Sequence, residues 1–350
     1  MDKENLLNAL KLTRPALGNT NLIPGLDCFF FEGQTITAFN GSLEVTSTVE
    51  ELPITGAVQG EVLFKLINEL GKEIELLSPQ PDTLIVRSGR SKTTFPVKDI
   101  NTDFLKDVEE EGQKIYLPVS ILFAAGLKRC MLSMGGKAID NTEIGVHVFL
   151  EGHECKMYST NGQTFSRFAF PLENATETNN IFLPAAFVEN LLFLYSEIGV
   201  SPIEIVVSEK YVRARFENTT LRASFYSNPV NTDLQELIDG GIEEVALVDL
   251  PKEFSEAIKR SEIVSGNTPI LIEFGDPESN KVYITATGQG KQESFEEVEL
   301  AYPSAGSINV DMKGVRKVVD SCKSIGFGKD YMLFVGSEDF FVYIIAGRSQ

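Results

Sequence analysis

The sequence predicts an α+β fold of three tandem domains, each made of two helix-plus-antiparallel-sheet units, and three observations predict it. A Leu-Pro phrase opens three helix-like stretches, "YLPVSILFAAGL" at 116–127, "FLPAAFVENLL" at 182–192 and "DLPKEFSEAI" at 249–258, with the prolines 66 or 67 residues apart. A hairpin pattern follows each helical pattern, six times along the chain. A glycine-turn stretch recurs at about twice that spacing, as "AFNGS" at 38–42, "STNGQ" at 159–163 and "ATGQG" at 286–290, so the six units group in pairs.

The helices are expected to begin near 3, 60, 118, 184, 251 and 311. Three carry proline in the first turn, where the missing amide would lack a partner in any case. Apolar residues then recur at helical spacing, as in Leu183, Phe187 and Leu191 or Phe254, Ala257 and Ile258. The stretches "KENLLNALKL", "VQGEVLFKLINEL" and "INVDMKGVRKVVDSC" repeat the pattern without proline. The hairpins are "CFFFEGQTITAF", "TLIVRSGRSKTTF", "GVHVFLEGHECKMYS", "IEIVVSEKYVRARF", "PILIEFGDPESNKVYITA" and "YMLFVGSEDFFVYII". The acidic, glycine-containing stretches "DVEEEGQK" at 107–114 and "ELIDGGIEE" at 236–244 read as connectors, which sets the domains at 1–114, 115–244 and 245–350. Connectors this short imply packed neighbours.

With 43% hydrophobic and 23% charged residues, no signal-peptide layout and no long apolar run, a cytoplasmic protein without a membrane segment is expected. The four cysteines, Cys28, Cys130, Cys155 and Cys322, form no CxxC pair and read as free thiols of a reducing compartment. No phosphate loop, GxSxG or HExxH motif is present, so no enzyme and no cofactor is expected. His147 and His153 flank "LEGHE" and, with Glu151 or Glu154, are the one conceivable metal site; two ordinary histidines on a surface hairpin are the plainer reading, and no metal is assigned.

A net charge of −19 argues against a broad basic surface for nucleic acid, yet the charge is unevenly spread. The six helical segments 2–14, 61–73, 117–129, 182–198, 251–260 and 310–323 hold 14 basic and 11 acidic residues, a net of +3, leaving −22 for the rest. In the last of them Lys313, Arg316, Lys317 and Lys323 stand apart from Val315, Val318, Val319 and Cys322, giving one basic and one apolar face; a solvated face is the alternative. Lys128 with Arg129 and Lys259 with Arg260 add to the basic set, whereas the fourth helix carries only Glu189 and Glu197.

"LIVRSGRSKTTF", the Leu-Pro helix of the middle domain, "EGHECKMYSTNGQTF" and "FSEAIKRSEIVSG" resemble the matching stretches of the bacterial β sliding clamp, over nearly the whole chain and in the same domain order. The resemblance implies that each chain is half of a closed homodimeric ring, which encircles double-stranded DNA without sequence preference and tethers a DNA polymerase after placement by a clamp loader. The basic helix positions Lys128, Arg129, Lys259, Arg260, Lys313, Arg316, Lys317 and Lys323 would then line the channel. The family's peptide groove maps onto Thr160, Gly162, Gln163, Thr164 and Phe165, with Ile238, Ile344 and Ile345 on its other side. The family's Asp-Gly-His-Arg-Leu run is here Asn-Gly-Gln-Thr-Phe, and its methionine- and proline-rich C-terminus is "YIIAGRSQ", which implies an altered peptide preference. Ile263 and Val264 match apolar ring-interface positions, with Phe104 facing them from the other subunit. An acidic α+β repeat scaffold that binds proteins without DNA explains the repeats and the acidity equally well, though not the basic last helix.

Overall fold

The computed structural model describes residues 2–19, 25–49, 52–100, 114–134, 144–199, 201–225, 234–243, 245–266, 268–275, 280–290, 292–336 and 341–347. Its contacts divide the chain into two compact units, 1–121 with 186–226 and 122–185 with 227–350. Phe104 lies outside the described residues.

In the first unit, helix α1 (Lys3–Thr13) is capped by Asp2, whose carboxylate accepts the Glu4 amide at 3.1 Å. Its buried Leu6 and Leu10, one turn apart, belong to the core above β2 (Thr35–Phe39) and β3 (Leu43–Thr48). Strand β1 (Cys28–Glu32) lies between β2 and β4 (Gly56–Gln59), and α2 (Gly60–Glu69) follows β4 directly. Gly60 packs closely there: a Cβ would stand 2.6 Å from Leu17 Cδ1, which would have to shift. Strands β5 (Glu75–Gln80), β6 (Thr83–Ser88) and β7 (Ser91–Pro96) form a separate three-stranded sheet in which β7 is an edge. The short β8 (Ile115–Tyr116), helix α4 (Ala185–Ile198) and strands β11 (Glu204–Val207), β12 (Tyr211–Arg215) and β13 (Thr219–Ser224) complete the unit. One antiparallel sheet runs β4-β1-β2-β3-β13-β12-β11-β8. Its central joint is β3 against β13, registered Thr219↔Ser47 to Ala223↔Leu43.

The second unit holds α3 (Ile121–Cys130), β9 (Gly145–Thr160), β10 (Thr164–Pro184) and α5 (Leu234–Glu243). It continues with β14 (Val248–Asp249), α6 (Lys252–Ser265), β15 (Ile270–Phe274), β16 (Lys281–Thr287), β17 (Glu293–Glu299), β18 (Gly306–Val310), α7 (Met312–Val318), β19 (Cys322–Phe327), β20 (Tyr331–Gly336) and β21 (Phe341–Ala346). One sheet runs β14-β19-β20-β21-β10-β9, and a second runs β17-β16-β15-β18 with β17 at its edge. Here the joint is β10 against β21, registered Thr164↔Ile345 to Phe168↔Phe341.

The repeats seen in the sequence are repeats of turn chemistry. Asn40 Oδ1 accepts the amides of Ser42 and Leu43 at 3.1 and 2.9 Å, and Asn161 Oδ1 accepts those of Gln163 and Thr164 at 3.0 and 2.8 Å. The glycines that follow, Gly41 and Gly162, hold φ values of 103° and 82°, which favour glycine. In the third copy the Gly288 amide donates to the Gln292 carbonyl at 2.8 Å. Each turn delivers the chain into the corresponding strand, β3, β10 or β17.

Four expectations are corrected. The prolines of the Leu-Pro phrases stand before their helices: Pro118 precedes α3 by three residues, Pro184 ends β10 and Pro251 caps α6. In two of the three the phrase closes a short edge strand, the Leu117 amide donating to the Ile205 carbonyl and Leu250 to Lys323, before proline stops the pairing. The third hairpin forms one strand, β9, paired along its length with β10. Gly152 nonetheless holds φ 56°, matching Gly33 (φ 57°) between β1 and β2, and the register of β10 shifts opposite it, so the expected turn survives as a left-handed bend. The connector at 236–244 is largely the helix α5. Finally, the last helix ends at Val318, followed by a 3₁₀ turn (Val319–Ser321), so Cys322 and Lys323 belong to β19.

Candidate functional site

On α6 and α7 the basic side chains are brought together, but most of them are answered by carboxylates. Lys259 Nζ lies 2.8 Å from Asp320 Oδ1, and Arg316 reaches Asp320 Oδ2 at 2.8 Å and Glu262 Oε2 at 3.2 Å. The Ser255 hydroxyl also donates to Asp320. These donors, Lys259 first, hold the Asp320 carboxyl well below the usual carboxylate range. Arg260 grips Glu296 of β17 with two nitrogens, the shortest contact being 2.7 Å. Lys313 and Lys317 are exposed on α7, and the Lys317 ammonium donates to the Leu132 carbonyl at 3.3 Å.

Lys128 is exposed at the end of α3, whereas Arg129 is half-buried with its guanidinium 5.2 Å from the centre of the Phe341 ring. Lys323 is exposed on β19 rather than on the helix face expected for it. In the first unit, Glu197 of the otherwise uncharged-to-acidic α4 pairs with Lys11 of α1, so a basic residue from a different helix meets it.

The expected groove residues divide between two faces of β21. Ile238 of α5, Phe165 and Ile344 pack into one cluster with Tyr158, Leu333, Val335 and Val342. Ile345 is removed from this group: it is buried, and it faces α7, where a Cβ on Gly314 would meet Ile345 Cδ1 at 3.4 Å. Ile238 and Ile344 are buried too and form a floor rather than an open wall. Thr160, Gly162, Gln163 and Thr164 build the turn itself, Thr160 Oγ1 accepting the Gly162 amide at 2.9 Å and the Gln163 carbonyl accepting the Ala346 amide at 2.8 Å. Helix α5 is pinned over the cluster by Asp239, which stands 3.1 Å from Arg167 Nε and accepts the Tyr158 hydroxyl at 3.2 Å. Burial first, and then the Asp239 charge, push the Tyr158 phenol well above its usual range.

Along the β17 edge, Ile263 is 83% exposed and Phe295 64% exposed, while Val264 is half-buried. Phe295 stacks on Tyr283 at 5.6 Å. Isolated exposed apolar residues are ordinary; Phe295 lies on the sheet face away from Glu296 and its α6 partner Arg260, and the open edge strand that carries it gains from being covered. Glu293 and Glu299 are exposed on the same strand.

The remaining candidates carry no site chemistry. His147 is buried, its ring 5.1 Å from that of Phe182, and burial lowers its basicity; His153 is exposed on the other side of Gly152. Among the described residues no three or more of the His, Cys, Asp and Glu side chains gather as metal ligands. Burial pushes Cys155 up to about 12 and Cys28 and Cys322 up to about 11, which keeps these thiols protonated. Among the described residues no helix is long and apolar enough to cross a membrane.

The sequence matches no family model and no curated protein. Solved structures, by contrast, match it from end to end. They include the DNA polymerase III subunit beta of Pseudomonas aeruginosa, at TM-score 0.82 and 17% identity over 100% of this chain and 99% of that one. The chain has the fold of a bacterial β sliding clamp. The DNA polymerase sliding clamp of Caulobacter crescentus superposes at TM-score 0.83 with 16% identity, covering 100% of this chain and 99% of that one. The DNA polymerase III beta chain of Streptococcus pneumoniae gives 0.79 and 16%, covering 100% and 98%.

Within this clamp fold, sequence reasoning missed the half-buried apolar collar of the Ile238 cluster, formed by Phe149, Ile242, Val245 and Tyr331 beside Phe165. Ile242 was hidden in the stretch read as a connector, and Val245 directly follows it. Their spacing from Ile238, at i+4 and i+7, is the signal that could have found them.

Proposed function

We propose that this protein is a DNA polymerase sliding clamp, a processivity factor that closes as a homodimeric ring around duplex DNA and tethers the replicative polymerase and other partners. One observation carries the reading. Of the three strands delivered by the repeated turns, β3 is met by β13 and β10 by β21, while β17 remains a sheet edge. At the other end of the repeat, β7 is also an edge, six residues against the seven of β17. A second copy satisfies both edges: β17 of each chain takes β7 of the other, and the same joint is made a third time. Charge favours an antiparallel pairing like the other two joints, since Glu299 at the end of β17 would face the start of β7 beside Arg90 and Lys92. Ile263, Val264 and Phe295 would be covered at that seam.

The three domains of this reading are 1–114, 115–244 and 245–350, the middle one divided between the two compact units because the joints β3–β13 and β10–β21 cross the domain borders. Lys128, Lys313, Lys317 and Lys323 supply exposed positive charge for the phosphate backbone, with Lys259, Arg260 and Arg316 held in ion pairs. Partner peptides, those of the polymerase and of a clamp loader among them, dock on the collar around Phe165 and Tyr331. No covalent step is required, so no catalytic residue is assigned.

The test is retention on nicked circular DNA followed by linearisation. A ring stays on the circle and runs off the linear product. A scaffold that binds only proteins is retained on neither, and that outcome overturns the reading.

A further inference from the structure

The ion pairs on α6 and α7 are arranged around one carboxylate. Asp320 takes Lys259 from α6 and Arg316 from α7, each at 2.8 Å, and its remaining acceptor capacity is engaged by the Ser255 hydroxyl. Ser255, Lys259 and Glu262 lie at i, i+4 and i+7 on α6, and Arg316 and Asp320 at i and i+4 across from them. Glu262 holds the other side of Arg316 at 3.2 Å. The face that the channel reading makes attractive to phosphate therefore carries its own competing anion, already in contact with two of the cations. The lowered pKa of Asp320 agrees with this geometry, because the carboxylate stays charged whenever the cations do.

We propose that Asp320 is a governor of DNA attachment: it keeps Lys259 and Arg316 in ion pairs that a phosphate must displace, so the ring holds duplex weakly enough to slide. This rests on the channel reading above and deepens it. A ring is retained by topology, and each firm phosphate contact it adds is a contact to be broken at every step along the duplex. Each phosphate neutralised adds about 0.9 to the slope of log affinity against log salt. Removing the Asp320 charge frees Lys259 and leaves Arg316 on Glu262 alone, so the slope rises by about 0.9 per chain, which between 50 and 200 mM salt is about a three- to fourfold further loss of affinity, starting from tighter binding at low salt.

The experiment is fluorescence anisotropy of a short duplex against salt for the wild type, Asp320→Asn and Lys313→Glu with Lys317→Glu. Asp320→Ser is measured alongside in case the Asn variant misfolds, and thermal melting reports the fold of each. Two further proteins localise the effect: Asp320→Asn in a Lys259→Gln, Arg316→Gln background, and Glu273→Gln, which removes one exposed carboxylate on β15. The expected result is tighter, more salt-sensitive binding by Asp320→Asn that disappears in the double-glutamine background and is absent from Glu273→Gln. Weakened binding by the Lys313 and Lys317 variant with a wild-type curve for Asp320→Asn keeps the channel and overturns the governor. Equal tightening by Asp320→Asn and Glu273→Gln also overturns it, as an effect of net charge. No change in the lysine variant removes the channel reading itself, and the governor with it.

Discussion

If the chain closes into the ring proposed above, Ile263→Ser should open it at its seam while leaving the protomer folded. Ile263 is 83% exposed in the single chain, so its removal takes little from the protomer, within about 0.5 kcal/mol as for most surface changes. Full burial of an isoleucine side chain contributes about 1.5–3 kcal/mol, and a head-to-tail pair contains two seams. If the seam covers what is now exposed, the dimer loses about 2.5–5 kcal/mol, which raises its dissociation constant by about two to three and a half orders of magnitude. Sedimentation velocity over a wide concentration range reads this directly, as a dimer boundary that moves to a 38.6 kDa species at concentrations where the wild type is still paired. A dimer constant unchanged by the substitution refutes the reasoning, because it would mean that this face is not buried on assembly. A monomeric wild type at every concentration would refute spontaneous closure itself.

Other expectations concern the fold around the sites. Asp239→Ala should cost about 1–3 kcal/mol, because it orphans the Tyr158 hydroxyl as well as Arg167; Tyr158→Phe should recover part of that cost in the double variant, and strict additivity in denaturant melts would count against the pinning of α5. The pKa of Asp320 in the folded protein lies below its unfolded value, so the lashing of α6 to α7 is present above about pH 4 and is lost as pH falls further. Amide exchange in α7 that accelerates in acid for the wild type, but not for Asp320→Asn, is the expected signature. Gly275→Ala should destabilise far more than Gly33→Ala. Both glycines have positive φ, a cost of about 1–2 kcal/mol, but the added Cβ meets the Ser304 carbonyl oxygen at 1.9 Å in one and nothing within 4 Å in the other. Equal melting temperatures would contradict that ranking.

What could be read from the sequence was what is local. Helices expected near 3, 60, 184, 251 and 311 begin at 3, 60, 185, 252 and 312, because apolar spacing and the Leu-Pro stop act within a few residues. Helix α5 was illegible for the opposite reason. Gly240, Gly241 and the flanking acids look like a connector, and what holds the helix is its buried Ile238 and the reach of Asp239 to Arg167 and Tyr158, far away in the chain. The end of α7 was misread because Val315, Val318, Val319 and Cys322 fit a continuing helix as well as a helix followed by a strand. The candidate channel shows the same limit: a count of lysines and arginines finds Lys259 and Arg260, but not the carboxylates of Asp320 and Glu296 that meet them from other elements. At the proposed peptide site the glycine turn is legible because it is a local motif, while the collar of Phe149, Ile242, Val245 and Tyr331 is assembled from separate elements.

The joints β3–β13 and β10–β21 give the chain the construction of overlapping masonry, in which no course ends where the one above it does. A cut at the domain borders proposed above, 114 and 244, would separate strands that are hydrogen-bonded in one sheet, β3 from β13 and β10 from β21. Fragments trimmed to single repeats would carry torn sheets rather than finished surfaces. In the ring proposed above, the one joint whose two halves belong to different molecules could part without unfolding either.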